Sequence, residues 1–142
     1  MKRLTTTVLM VFIAGFFLAS CSQAPKYATQ TLPSGRVVKV AGVMEVRFSN
    51  QDSALMLKYY TDIDMSDKVA LQSEAEDIWQ SFKVNVEKAG LKSAVLSANE
   101  MPHGLVSETK GFNFVFVKQD NGVWVLTNAQ NNPADKPSGK TP

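Results

Sequence analysis

Few side chains in this 142-residue chain are equipped for chemistry, and they fall in three places. Cys21 is the one cysteine and His103 the one histidine. The third place is the acidic stretch Asp62-Ile63-Asp64-Met65-Ser66, which sets oxygen atoms at alternate positions as the opening of a calcium-binding loop does. The stretch then departs from that pattern. Its sixth position, where the sharp turn of such a loop needs glycine, is Asp67, and its twelfth is Ser73 in place of a bidentate glutamate. The plainer role for these carboxylates is to complement the dipole of a following helix and accept hydrogen bonds from its free N–H groups. No metal site and no cofactor are expected.

A hydrolase needs a nucleophile held by a base. His103 is the only imidazole available, and it lies in a Pro-Gly loop with no Gly-x-Ser-x-Gly elbow in the chain. No catalytic residue is therefore assigned. The loop from Asn99 to Gly111 is nevertheless long for a small domain, and long loops are frequently functional. If the strand before the helix and the strand after it share a sheet, the loops that follow both open on one edge. Asp62, Asp64, Asn99, Glu100 and His103 then form a candidate binding edge beside the helix N-terminus.

These residues need elements to hold them. Leu71, Ala75, Ile78, Trp79, Phe82 and Val86 recur at three- and four-residue spacing and predict one long amphipathic helix, N-capped by Ser66. Gly90 stops it, with Leu91 placed for the hydrophobic contact of a Schellman cap. Glu74, Glu76, Asp77, Lys83, Glu87 and Lys88 are read as mostly its solvated face. Val37 to Phe48, with a bulge at Gly42, pairs antiparallel with the strand Leu55–Tyr60 across a turn at Ser49-Asn50-Gln51-Asp52. Ala94–Ala98 and the alternating Phe112, Phe114 and Phe116 supply two more strands. Asn121-Gly122 signals a two-residue hairpin leading to a fifth strand at Val123–Leu126. The order ββαβββ predicts an α+β two-layer sandwich, one helix on a mainly antiparallel sheet of about five strands, with the phenylalanines as the floor for Trp79 and Phe82. The rival binding surface is the face of the sheet away from the helix, where Val115, Val117, Met56 and Tyr60 leave an apolar patch.

The N-terminus carries an address. Lys2 and Arg3 precede an uninterrupted apolar run from Val8 to Ala19, too short to span a bilayer, and the small residues Ala19-Ser20 follow. Leu18-Ala19-Ser20-Cys21 resembles the lipobox of bacterial lipoproteins, a resemblance confined to the first 21 residues. It implies a diacylglyceryl group on the sulfur of Cys21, cleavage before Cys21 and acylation of the new amine. By the same resemblance, Ser22 after the cysteine implies sorting to the outer membrane of a diderm cell, with the domain periplasm-facing or surface-exposed. Several acyl chains give a stable anchor where one is marginal.

Removing residues 1–20 leaves 122 of the 142 residues, enough for one domain with a real core. Lys2 and Arg3 carry the whole net charge of +2, so the mature chain is neutral. With no Lys/Arg cluster it lacks the electrostatic footprint of phosphate binding, and nucleic acid is not an expected partner. The expected organisation is a signal peptide at 1–20, a lipidated tether at 21–35, an α+β domain at 36–127 and a disordered tail at 128–142. The expected function is that of a lipid-anchored, monomeric, non-catalytic module that binds or assembles with an envelope protein. The alternative is a small envelope enzyme or metal-dependent hydrolase built on Asp62, Asp64, Glu100 and His103.

Overall fold

In the computed structural model, which describes residues 26–48, 53–103 and 109–131, the apolar stripe folds as helix α1, Lys68–Lys88. All six residues of the stripe are buried. The Schellman cap forms as expected: Gly90 takes a φ of 70°, the Leu91 N–H donates to the Val86 carbonyl at 3.2 Å, and the Gly90 N–H donates to Glu87 at 3.0 Å. The N-cap is Asp67 and not Ser66. Its carboxylate accepts from the Ala70 N–H at 3.0 Å, while the Ser66 hydroxyl turns back to Asp64.

The helix covers one face of an open sheet of six strands: β1 (Ala28–Thr31), β2 (Val37–Val46), β3 (Ala54–Thr61), β4 (Ser93–Glu100), β5 (Gly111–Lys118) and β6 (Trp124–Asn131). Spatial order equals chain order. Every neighbouring pair is antiparallel except β3 and β4, which α1 connects in parallel. This is an α+β two-layer sandwich. The register of β2 shifts between Val40 and Gly42, the bulge expected at that glycine.

The floor under the helix is built from alternate residues: Leu57 and Tyr59 of β3, Ala94, Leu96 and Ala98 of β4, and Phe112, Phe114 and Phe116 of β5. Small alanines in β4 let the helix approach, and phenylalanines in β5 rise beside it. Trp79 stacks on Phe116, with centroids 4.3 Å apart and planes 7° from parallel, and meets Trp124 edge-on at 5.0 Å. β4 lies in the middle and is buried on both faces from Ala94 to Asn99.

Four expectations need correction. The sheet has six strands, because Ala28–Thr31, placed in the tether by sequence, pairs with Val37–Val40. Leu32 is buried in the core. The turn after it closes through the Gly35 N–H on the Leu32 carbonyl, with Gly35 at a φ of 86° that only glycine adopts without strain. At the other end, β6 runs past Thr127 to Asn131, so the first four residues assigned to the tail are strand. β4 continues through Asn99 and Glu100, which makes the following loop two residues shorter. The β5–β6 turn is a type I turn with Gly122 in the left-handed region at φ 81°. Its Gly122 N–H donates to the Gln119 carbonyl, and Asn121 has a negative φ that a two-residue hairpin would not allow. The signal peptide, Cys21, the tether before residue 26, the turn at 49–52, residues 104–108 and the tail beyond Asn131 lie outside the described residues.

A chain ending at Asn131 is expected to melt with the full-length domain, and one ending at Thr127 several degrees lower. The shorter chain loses the pairing of β6 with Phe112, Asn113, Phe114 and Val115, and each kcal/mol lost shifts the midpoint by about 4–8 °C in a domain of this size. Thermal unfolding of the two truncations checks this, and equal midpoints would show that the end of β6 adds nothing.

Candidate functional site

The backbone brings the predicted edge together. Because β3 and β4 run parallel, Tyr60 lies beside Asn99 and Thr61 beside Glu100, so the segments carrying Asp62, Asp64 and His103 leave the sheet at the same end as the helix N-terminus.

The side chains do not converge. Asp62, with its side chain 80% exposed, turns to β2 and pairs with Lys39 at 3.1 Å. Asp64 folds onto its own turn, accepting from the Ser66 hydroxyl at 2.6 Å and the Ser66 N–H at 2.7 Å. These bonds, helped by Lys110 and Lys68, hold its carboxyl below the usual carboxylate range. Asn99 is not at the surface: it is 1% exposed, and its amide donates to the Ser97 carbonyl at 2.8 Å and the Ser97 hydroxyl at 3.2 Å. Its work is to satisfy polar groups within the central strand. Glu100 is half-buried, its N–H closing on the Lys110 carbonyl at 3.0 Å, and His103 is exposed. Lys68 sits over the Phe112 ring at 3.9 Å and donates to the Met65 carbonyl, fixing the helix start against β5. Among the described residues, no three His, Cys, Asp or Glu side chains are grouped to hold a metal ion, and no helix is long and apolar enough to cross a membrane.

A second polar cluster escaped the sequence reading. Glu74, assigned there to the solvated face of α1, is buried. One of its oxygens pairs with Arg36 at 3.4 Å. Arg36 also reaches Asp77 at 3.6 Å, and Asp77 accepts from the Ser34 hydroxyl at 2.6 Å. The cluster fastens the β1–β2 turn to the helix. Its inner boundary is Tyr59, fully buried, whose hydroxyl has no hydrogen-bond partner, and the second Glu74 oxygen also has none. Burial, with the nearby Glu74 charge, pushes the Tyr59 phenol well above its ordinary value of 10.0. The signal available in sequence was position alone: Glu74 falls three residues after Leu71 and four before Ile78, inside the stripe.

Hollows among the described residues border α1. One, of about 70 Å³, lies between α1 and β2 and is lined by apolar Leu32, Val40, Val43, Leu57, Ile78 and Phe82 together with the uncharged polar Gln30, Ser81 and Asn85. Another, of about 300 Å³, lies at the helix C-terminus between Glu87, Leu91, Lys92, Lys118 and Asp120. There the Trp124 indole N–H donates to Glu87 at 3.0 Å, holding that carboxyl below its usual range.

No family model, no curated protein and no solved structure matches the chain.

The buried phenol generates a prediction. Tyr59→Phe removes a hydroxyl that has no partner, so the variant should be as stable as the parent at neutral pH or more stable by up to about 1 kcal/mol. The raised folded value means that the folded state keeps its proton where the unfolded chain loses it. The parent therefore loses stability as pH rises above 10, and the variant loses less. Unfolding curves at pH 7 and pH 11 check both points, and a large loss at pH 7 would mean that the hydroxyl is hydrogen-bonded.

Proposed function

We propose that this protein is an outer-membrane lipoprotein, anchored through acylated Cys21, whose domain binds or supports the assembly of another envelope component and does not catalyse a reaction. The observation that carries the reading is Leu18-Ala19-Ser20-Cys21 at the end of a short apolar run behind Lys2 and Arg3. The fold gives that anchor a consequence. β1 begins at Ala28, seven residues after Cys21, and fully extended chain covers at most about 3.6 Å per residue, so the start of β1 is held within roughly 25 Å of the bilayer.

The chemistry of the domain supports binding over catalysis. The aspartates that a metal-dependent hydrolase would use are taken by Lys39 and Ser66, and Asn99 is spent inside the sheet. The sheet face away from α1 carries an apolar row that is exposed at its β2 end and buried at β4. Met44, Met56, Val95 and Val115 are cross-strand neighbours in one row over β2 to β5, on the face away from α1. Lys58, Ser97 and Asn113 form the polar row beside it.

The mature N-terminus decides the anchor. Intact mass spectrometry of the protein from cell envelopes should find a chain beginning at Cys21 with diacylglyceryl and N-acyl groups, and Cys21→Ala should leave residues 1–20 in place. An unmodified Cys21 on a cleaved chain overturns the lipoprotein reading.

A further inference from the structure

β2 is ten residues long and β1 covers only four of them, Val37 to Val40. Past the bulge, Gly42 to Val46 pair with β3 on one side only, and among the described residues nothing pairs with the other side. Natural sheets commonly blunt such an edge with charge, proline or a covering element, because unpaired N–H and C=O groups recruit another strand. Here the two residues at the centre of the open stretch are instead apolar and exposed, Val43 at 51% and Met44 at 50%.

The surroundings on the two faces of this stretch define what fits beside it. Val43 lies opposite Leu57 on the helix side and lines the 70 Å³ hollow, whose walls carry no charged side chain. Met44 lies opposite Met56 on the far face, at the open end of the row that continues to Val95 and Val115. Glu45, opposite Leu55, returns to the helix side, exposed and without an ion-pair partner among the described residues. A strand added here, in line with β1 and antiparallel to β2, meets an uncharged, mainly apolar hollow at one position, an apolar row at the next and a lone carboxylate at the third.

We propose that Gly42–Val46 is a strand-addition site for an extended segment of another protein. That segment carries two adjacent apolar residues, opposite Val43 and Met44, and a Lys or Arg opposite Glu45. Main-chain bonds to the open edge supply the pairing, and the hollow and the carboxylate supply selectivity. Two other occupants fit worse. A second copy of this edge in its central antiparallel register, Met44 against Met44, sets each Glu45 against the apolar Val43 of the other copy and gives neither carboxylate a cation. The chain's own upstream residues include Pro25, which has no N–H for the ladder. The proposal specifies the binding half of the reading above and does not depend on the acyl chains, whose presence the mass of the same sample reports separately.

The test is hydrogen exchange, read by mass spectrometry, on the full mature protein in detergent with the blocked peptide acetyl-Thr-Lys-Val-Val-Thr-amide at millimolar concentration. Exchange should slow across Gly42–Val46 and stay unchanged in the Asp62–Ser66 turn and in β6. Replacing the first valine of the peptide by proline should abolish the slowing. Glu45→Lys should abolish it as well, and a peptide with Glu in place of Lys should restore it for that variant; Glu45 is exposed, so the substitution leaves the core intact. No slowing, slowing elsewhere, or slowing that the proline peptide reproduces overturns the proposal. So does a stretch already protected without peptide, which points to the chain's own N-terminal segment if independent of protein concentration and to a second copy if dependent on it.

Discussion

One helix has to cover a sheet of six strands, and the structure follows from how it does so. α1 presents a single apolar stripe, and the tightest aromatic contact in it is the indole of Trp79 laid flat on Phe116 and closed at the side by Trp124. Stacked and edge-on aromatic pairs add to the burial of the rings themselves. This stack sets the height of the helix above β5, while Ala94, Leu96 and Ala98 set its approach to β4. Burying side chains of this size is worth about 1.5–3 kcal/mol each, which makes the stripe the main source of stability. A helix one stripe wide protects the middle strands and leaves the two sides of the sheet to other devices.

Those devices differ. On the β6 side, the indole N–H of Trp124 is tied to Glu87, so the aromatic corner is fastened to the helix C-terminus. On the β1 side, Arg36, Glu74, Asp77 and Ser34 fasten the turn after β1 to the helix, and Leu32 fills the space beneath. Exposed ion pairs contribute little, so the exposed Arg36 with buried Glu74 matters more here as a positioning contact than as a source of stability. The fastening ends with β1 at Ala28, and the rest of the β2 edge is left open. The end of the sheet carrying Asp62 and Asp64 is, by contrast, closed by local hydrogen bonds.

The elements with a strong period were legible in the sequence. Six apolar residues at helical spacing, the Gly90-Leu91 stop and the alternating phenylalanines of β5 each have one physical solution, and the parallel pairing of β3 and β4 follows from a helix placed between them. β1 was not legible, because Ala28-Thr29-Gln30-Thr31 buries none of its side chains and so has no hydrophobic alternation. The signal that was present is the turn, Leu32-Pro33-Ser34-Gly35, with proline and glycine at the positions such a turn favours. The candidate edge was legible as backbone and misread as side chains. Asn99 looks like the start of a loop until β3 and β5 are placed on either side of it, and Glu74 looks solvated until Arg36 is brought in from 38 residues away. Both depend on pairing between distant segments, which no local pattern encodes.

The central claim, that the helix is seated by the Trp79–Phe116 stack, is tested most directly by a double-mutant cycle. Equilibrium unfolding would be measured for the parent, Trp79→Leu, Phe116→Leu and the double variant. The account predicts a coupling of about 0.5–1.5 kcal/mol beyond the sum of the single losses. Additive losses, with a coupling within about 0.3 kcal/mol of zero, would contradict it.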